Sequence, residues 1–179
     1  MKKVYYSWKD VQGAVIDIAR QLQQDNWRPD YIVGITRGGL IPATLLSQYL
    51  NTKMHTLNVS LRDSELGPES NLWMAEEAFG YVPDSQSGDT RVDPAYRKKI
   101  LVVDDINDSG ATINWIKEDW RSSCLPNDPY WDKVWGSNVR FATLTNNLGS
   151  KEHVDYSVWD VNKREEDCWL VYAWEDFWK

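Results

Sequence analysis

Ten consecutive residues, 103–112, combine side chains that can hold a phosphate and a sugar. They read Val-Asp-Asp-Ile-Asn-Asp-Ser-Gly-Ala-Thr and continue the apolar run of residues 100–103. A buried strand would deliver them to the carboxyl edge of a parallel sheet, where the ligands of open α/β folds bind. Small residues at the start of the next helix let backbone N–H groups close around an anion, which the helix dipole favours. The expected phosphate cradle is Asp108, Ser109, Gly110, Ala111 and Thr112.

The acidic pair Asp104 and Asp105 precedes this cradle. Carboxylates are poor phosphate ligands, but they accept hydrogen bonds from vicinal hydroxyls and can hold a hydrated Mg²⁺. A phosphate cradle beside a diol-binding pair describes a ribose 5-phosphate site. The alternative is a solvated turn with a helix N-cap, which a short Asp-Ser-Gly string alone would favour. The string is not a Walker A loop, since the spaced glycines and the lysine of that motif are absent.

The elements that must position these residues alternate between strands and helices, which predicts an α/β domain with a mostly parallel sheet. Ser7 and Asp10 form a capping box, and apolar residues at helical spacing follow them. Further helices are expected after Gly39 and after Gly110. The expected strands are residues 31–35, 54–61, 100–103, 139–145, 156–161 and 168–174.

Residues 62–99 show no sustained periodicity, and glycine, proline, serine and aspartate are scattered through them. Only residues 72–75 are expected to form an ordered island. A connection of this length in a compact domain is typical of a mobile lid, a binding loop or a disordered insertion. As a lid it would exclude water from the site, and Arg62, Arg91 or Arg97 would be candidates to contact the ligand.

Composition limits the class of protein. The chain has 179 residues, which suits a single domain spanning 1–179. Its net charge of −7 argues against a nucleic-acid-binding surface. No apolar run approaches the ~20 residues of a membrane span, and a cytoplasmic location is expected. Cys124 and Cys168 form neither a metal motif nor a disulfide framework, and most of the eleven tryptophans are expected in the core.

The apolar strand, the two acids, the two spacer residues and the Asp-Ser-Gly-x-Thr string resemble the signature that binds phosphoribosyl pyrophosphate (PRPP) in type I phosphoribosyltransferases. The helix that contains Trp8, residues 35–42 and residues 169–175 also have counterparts in the bacterial xanthine-guanine and hypoxanthine enzymes of that family. The resemblance implies the type I phosphoribosyltransferase fold, with helices flanking a mostly parallel central sheet. It also implies a small base-binding hood, at residues 162–179, and a long flexible loop, at 62–99.

The same resemblance implies roles for individual residues. Arg37 and the Gly38 backbone would lie in the pyrophosphate loop. Asp104 and Asp105 would bind the ribose diol and Mg²⁺, with Asp105 the closer metal ligand. Asp108 would manage the proton on N7 of a purine base.

For the base itself, the resemblance implies that Trp169 stacks on the ring, that the Leu170 backbone reads its edge, and that Glu175 lies near the base or a second metal. The alternatives are that Trp169 is simply a core residue and that Glu175 is a solvated residue at the end of a strand. One departure stands out, because the purine enzymes have a lysine against the 6-oxo group where this chain has Asn147. The Asn147 amide could take over that contact, or Lys151 could reach in.

The leading hypothesis is therefore Mg²⁺-dependent transfer of phosphoribose from PRPP to a purine base of the guanine, xanthine or hypoxanthine type, in purine salvage. One alternative is a related enzyme for another nucleobase. A second is a non-catalytic PRPP-binding regulatory module. Relatives are commonly dimers or tetramers, so a homodimer or homotetramer is expected.

Overall fold

The structure is a computed structural model and describes residues 1–59, 71–83, 86 and 90–178. Within these residues, no helix combines the length and the apolar composition that crossing a membrane requires. The strands are β1 (Lys2–Tyr6), β2 (Tyr31–Thr36), β3 (Lys53–Asn58), β4 (Tyr81–Pro83), β5 (Thr90–Val92), β6 (Ile100–Asn107), β7 (Val139–Asn147), β8 (Trp159–Val161) and β9 (Cys168–Tyr172). The helices are α1 (Trp8–Gln24), α2 (Leu40–Leu50), α3 (Leu72–Phe79), α4 (Ala111–Ser123) and α5 (Trp131–Val134).

A five-stranded parallel sheet forms the centre, in the order β3-β2-β6-β7-β8. Successive side chains of a strand point to opposite faces. On one face Val33, Val102 and Phe141 pack with α3, α4 and α5, and on the other Ile32 and Leu101 pack with α1 and α2. Because both faces are covered, β2 and the first half of β6 are nearly continuous apolar runs, and the layered arrangement confirms the predicted α/β class.

A second, two-stranded parallel sheet joins the two ends of the chain, with Lys3 opposite Trp169 and Val4 opposite Leu170. The sequence did not predict β1, because five mostly exposed residues give no clear apolar pattern. Tyr6 stacks on Trp159 and on Tyr172, with ring centroids 4.1 Å and 5.3 Å away. The contact with Trp159 of β8 anchors the terminal sheet to the edge of the central sheet, whereas the contact with Tyr172 lies within the terminal sheet.

The expectation that regular structure is nearly absent from residues 62–99 is wrong for the parts that the structure describes. The island of residues 72–75 is the first half of α3, and β4, β5 and the 3₁₀ turn Pro94–Tyr96 follow. Met74 and Phe79 of α3 are buried in the core. Two helical turns between proline- and glycine-rich stretches are too short for the periodicity to stand out. Residues 60–70, with Arg62, lie outside the described residues, and the lid stays a prediction.

The strand expected at residues 156–161 is shorter than predicted, since only Trp159–Val161 is regular. Tyr156 makes an isolated bridge to Ala142, and the N–H groups of Asp155 and Tyr156 both donate to the Phe141 carbonyl oxygen. Because two N–H groups share one carbonyl oxygen, the regular hydrogen bonding between this segment and β7 is interrupted there. The last strand also ends early, at Tyr172, whose N–H donates to the Glu175 carboxylate instead of to a neighbouring strand.

Candidate active site

A cleft of about 1030 Å³ opens at the carboxyl edge of the central sheet. It lies where β2, β3 and β6 end, which is where open α/β sheets bind ligands. Nine residues expected in the site line it, namely Arg37, Gly38, Asp104, Asp105, Asp108, Ser109, Gly110, Ala111 and Thr112. The structure therefore brings together segments that lie about seventy residues apart in the chain.

The acid pair forms part of the cleft wall. The Asp105 N–H donates to Asp104 Oδ1 at 2.9 Å, and the Ile106 N–H donates to Asp105 Oδ1 at 2.8 Å, so the backbone fixes both carboxylates. Removal from water raises the pKa of Asp104 well above its ordinary value, and the charge of Asp105 adds to this. Removal from water also raises the pKa of Asp105, to about 6. For neither acid do the backbone hydrogen bonds offset the cost of removing the negative charge from water.

This donor set fits a Mg²⁺ ion that a substrate helps to bind. None of the ion pairs between described side chains involves Asp104 or Asp105. Nor do the described residues contain a cluster of three or more metal-ligating side chains. Mg²⁺ commonly binds through one or two carboxylates together with substrate phosphates, and it keeps several waters. A bound cation would also offset the uncompensated negative charge.

The expected phosphate cradle lies at the N-terminus of α4. Its first N–H groups have no carbonyl partner within the helix and carry the positive end of the dipole. Gly110 has a φ of 87°, in the left-handed region that favours glycine, and an added Cβ would lie 2.8 Å from the Glu152 backbone nitrogen. The Ser109 carbonyl oxygen accepts from the Lys151 N–H. The loop after β7 thus packs directly against the cradle.

Asn107, which the sequence offered only as a spacer, holds that loop in place. Its Nδ2 donates to the Glu152 carbonyl oxygen at 2.8 Å and to Asn146 Oδ1 at 3.0 Å. The Ser150 hydroxyl donates to Asn107 Oδ1 at 3.0 Å. Lys117 of α4 completes the support through an ion pair with Glu152 at 2.6 Å.

The loop after β2 faces the acid pair. An ideal Cβ on Gly38 would lie 2.2 Å from Asp105 Oδ2, so only glycine permits this approach. The Arg37 side chain is exposed and lines the cleft, where its guanidinium can meet an anionic ligand. The Thr36–Arg37 peptide bond is cis. Thr36 is tied to β3, since its hydroxyl donates to Asn58 Oδ1 at 3.0 Å.

Asp108 has two partners, and one of them is a residue that the sequence did not single out. Lys163 Nζ lies 3.0 Å from Asp108 Oδ2. Asn147 Nδ2 donates to Asp108 Oδ1 at 3.1 Å and to the Asp108 carbonyl oxygen at 3.0 Å. Lys163 lies in the turn between β8 and β9, and no local motif marks it. Lys151, the lysine considered from the sequence, has an exposed side chain.

The residues expected at the base are less closely grouped. Trp169 is 47% exposed on β9, and the Leu170 side chain is buried in the core. Both lie outside the described lining of the cleft, as does Asn147. Glu175 does line the cleft, together with Trp174. Trp174 stacks on Tyr172 with a centroid distance of 4.9 Å and an interplanar angle of 5°. The roles of Trp169, Leu170 and Asn147 toward a base stay predictions.

Two of the arginines considered for the ligand are engaged elsewhere. Arg97 donates to the Phe79 carbonyl oxygen at 2.9 Å, and its guanidinium lies 3.6 Å from the centre of the Tyr130 ring. Arg91 lies 3.6 Å from Asp93 in an exposed ion pair. Neither residue is part of the described cleft lining, which leaves Arg37 as the arginine found there.

Comparisons with known proteins show the family of this chain. The chain is 26% identical to xanthine phosphoribosyltransferase 1 of Saccharomyces cerevisiae, over 97% of this chain and 90% of the yeast protein. It is 24% identical to the hypoxanthine-guanine phosphoribosyltransferase of Schizosaccharomyces pombe, over 97% of this chain and 89% of that protein. The crystal structure of a purine phosphoribosyltransferase from Pyrococcus horikoshii superposes with a TM-score of 0.64 at 26% identity, covering 99% and 96% of the two chains.

A xanthine-guanine-hypoxanthine phosphoribosyltransferase structure from Helicobacter pylori, at 18% identity, shares the fold with a TM-score of 0.65. The family model of the phosphoribosyl transferase domain matches residues 3–175, which is nearly the whole chain. The chain therefore belongs to the phosphoribosyltransferase family, whose enzymes transfer a pentosyl group.

Proposed function

We propose that this protein transfers the 5-phosphoribosyl group of PRPP to a purine base of the guanine, xanthine or hypoxanthine type. The products would be a nucleoside monophosphate and pyrophosphate. One observation carries the proposal: a single cleft contains the acid pair Asp104–Asp105, the N-terminus of α4 and the Arg37–Gly38 loop. These three groups match a ribose diol, a 5-phosphate and a pyrophosphate, which are the three parts of PRPP.

The bound ligand would be held at three points. The N–H groups and hydroxyls of residues 108–112 would hold the 5-phosphate, because they are donors at the positive end of a helix. Asp104 and Asp105 would accept hydrogen bonds from the ribose hydroxyls. Arg37 and the Gly38 backbone would hold the pyrophosphate. Fixed in this way, C1 of the ribose faces the side of the cleft that carries Asp108.

In the reaction, the bond from C1 of the ribose to a base nitrogen forms as the bond from C1 to pyrophosphate breaks. The base also loses a proton: in a purine this proton leaves the other imidazole nitrogen, N7, and Asp108 would accept it. Arg37 would stabilise the negative charge that develops on the leaving pyrophosphate. Much of the rate enhancement would come from holding the base and C1 in line.

Asp104 and Asp105 would hold Mg²⁺ together with oxygens of the substrate. When bound, the ion supplies positive charge that neutralises the pyrophosphate leaving group. The preference for a purine is supported by the names of the relatives, two of which are xanthine or hypoxanthine-guanine enzymes.

The decisive experiment measures pyrophosphate release from PRPP and Mg²⁺ with a panel of nucleobases. Release with guanine, xanthine or hypoxanthine is the expected result. Release only with pyrimidines or adenine would overturn the proposed acceptor. PRPP binding without pyrophosphate release in the presence of any base would contradict the proposed catalysis and favour a PRPP-sensing module.

The variant Asp108→Asn tests the proton acceptor. It keeps the Asn147 contact, because an amide oxygen can replace Oδ1, but it removes the carboxylate. We expect most turnover to be lost while PRPP affinity, measured by calorimetry, stays near the wild-type value. Asp17→Asn, an exposed acid on α1, is the matched control. Full activity in Asp108→Asn would exclude the proposed role.

A further inference from the structure

A second cavity lies at the amino edge of the central sheet, where β2 and β3 begin. Its volume is about 770 Å³, a size typical of small-molecule sites. The catalytic cleft opens at the other end of β2, and six residues of strand separate the two openings by about 17 Å. The two cavities share no described lining residue, so this one has no part in the reaction proposed above.

Three aromatic rings form part of its wall. The ring of His55 meets the rings of Tyr31 and Trp73 in T-shaped contacts, with centroid distances of 5.1 Å and 5.0 Å. Trp73 is nevertheless 42% exposed, so a large part of its indole remains uncovered inside a concave surface. An uncovered indole offers a stacking surface for a planar ring.

The wall also contains buried acceptors. Among the described side chains, Tyr31 Oη and Glu77 Oε2 are buried and have no hydrogen-bond partner. Burial raises the pKa of the Tyr31 phenol, and the nearby Glu77 carboxylate adds to this. A phenol has one hydrogen and a carboxylate only accepts, so acceptor sites remain even if the two groups bond to each other. A ligand that brings N–H donors would match them.

Positive charge lines the same cavity. Lys53 begins β3 opposite Tyr31, and the Lys98 N–H donates to the Glu77 carbonyl oxygen at 2.9 Å. Neither ammonium takes part in the ion pairs between described side chains. The second acid of the lining, Asp30, already accepts the Lys99 N–H at 2.7 Å. Two lysines without acidic partners favour an anionic group on the ligand.

We propose that this cavity is a second binding site, which takes a purine nucleoside monophosphate and prefers guanine as its base. The base would stack on Trp73, the Glu77 carboxylate would accept its N–H groups, and Lys53 and Lys98 would hold the phosphate. Guanine presents N1–H and the 2-amino group side by side, whereas adenine has its amino group alone. Such a ligand belongs to the class of the proposed product, but its binding here does not require turnover.

Equilibrium dialysis with radiolabelled GMP counts the sites. The wild type should bind two GMP molecules per chain at millimolar concentration. Saturating PRPP with Mg²⁺ should displace the one in the catalytic cleft and leave the other in place. Displacement of all bound GMP by PRPP would overturn the inference.

Variants assign the PRPP-resistant site to the cavity. Trp73→Ala removes the stacking surface, and Lys53→Met combined with Lys98→Met removes the cations. Each should weaken the resistant site about tenfold or more, because an aromatic anchor or a charged contact is lost. The displaceable site should change less than about twofold, since the two cavities are far apart.

A matched control combines Lys9→Met and Lys133→Met, two exposed lysines outside the described lining of both cavities. This control should bind GMP as the wild type does. A resistant site that keeps its affinity in both cavity variants would lie elsewhere on the protein, which would overturn the assignment.

Related probes test the chemistry of the ligand with the cleft blocked by PRPP and Mg²⁺. Guanosine lacks the phosphate, ribose 5-phosphate lacks the base, and AMP lacks the paired donors. Each should bind about tenfold or more weakly than GMP. Equal binding of ribose 5-phosphate and GMP would show that the cavity recognises only an anion, and it would contradict the role of the rings and of Glu77.

Failure of this inference differs from failure of the proposed function. Without added nucleotide, the cavity variants should release pyrophosphate at the wild-type rate. A wild type that releases none with any base contradicts the proposed function, whereas the GMP count and its loss in the variants judge the second site alone.

Discussion

The hydroxyl of Tyr172 donates a hydrogen bond to the Asp105 carbonyl oxygen, at 3.0 Å. It also lies 2.8 Å from Thr145 Oγ1. Tyr172 belongs to the terminal sheet, whereas Asp105 and Thr145 lie on the central one. The ring is 2% exposed, so these groups have little access to water. One buried phenol therefore connects the two ends of the chain to the acid pair of the cleft.

We expect Tyr172→Phe to weaken both stability and PRPP binding. The change leaves the Asp105 carbonyl and the Thr145 hydroxyl buried without this partner, at a cost of about 1–2 kcal/mol. Loss of the bond also frees the backbone beside the acid pair, so KM for PRPP should rise several-fold. Urea unfolding and steady-state kinetics measure the two effects. Tyr5→Phe, at a residue that is 63% exposed, is the control, and equal behaviour of the two variants would contradict the link.

Gly38→Ala should damage the site. The added methyl group would lie 2.2 Å from Asp105 Oδ2, so either the loop or the carboxylate must shift. We expect kcat/KM for PRPP to fall by about tenfold or more, since small displacements of positioning groups are costly. The matched control is Gly13→Ala in α1, where an added Cβ meets nothing within 4 Å. That change should raise helix stability by about 0.5–1 kcal/mol without altering kinetics. Wild-type kinetics in Gly38→Ala would show that the close approach of Gly38 to the Asp105 carboxylate is not needed for PRPP binding or turnover.

Gly110→Ala should destabilise the protein directly. A φ of 87° is unfavourable for alanine, and the new Cβ would lie 2.8 Å from the Glu152 backbone nitrogen. We expect a loss of about 1–3 kcal/mol in the free energy of unfolding, measured by urea denaturation. PRPP should then protect the variant less than the wild type, because the cradle is displaced. An unchanged denaturation midpoint would mean that the loop accommodates the methyl group.

Asp105→Asn should stabilise the ligand-free protein at neutral pH. The pKa of Asp105 is raised to about 6 in the folded protein against 3.8 for an ordinary aspartate, mainly through removal from water. The folded state therefore binds the proton more tightly than the unfolded state. This makes the unfolding free energy of the wild type fall as the pH rises from about 4 through about 6. The asparagine variant lacks that decrease.

The gain in Asp105→Asn should be on the order of 1–3 kcal/mol at pH 7 and should vanish below about pH 4. Thermal unfolding across this pH range measures it. Mg²⁺ with PRPP should raise the melting temperature of the wild type more than that of the variant, because the variant has lost one charged ligand. A variant that is less stable than the wild type at pH 7 would show that the buried carboxylate does not destabilise the folded protein.

Much of the fold was predictable because its signals are local. The apolar run that opens β6 and the helical spacing in α1 and α4 lie within short windows, and burial on both faces of the sheet requires them. The strand end, the glycine turn and the helix N-terminus that form the expected phosphate cradle were predictable for the same reason, since they are contiguous in the chain.

The sequence alone thus determined the α/β class and the positions of the acid pair and of the glycine turn before α4, because a few neighbouring residues encode each of them. Only the tertiary structure decided which distant residues complete the site. Lys163 and Asp108 are 55 positions apart, and Tyr172 and Asp105 are 67 apart. β1 pairs with β9 across nearly the whole chain. Such contacts depend on how the sheets and loops pack in three dimensions, and no local pattern of residues records that packing.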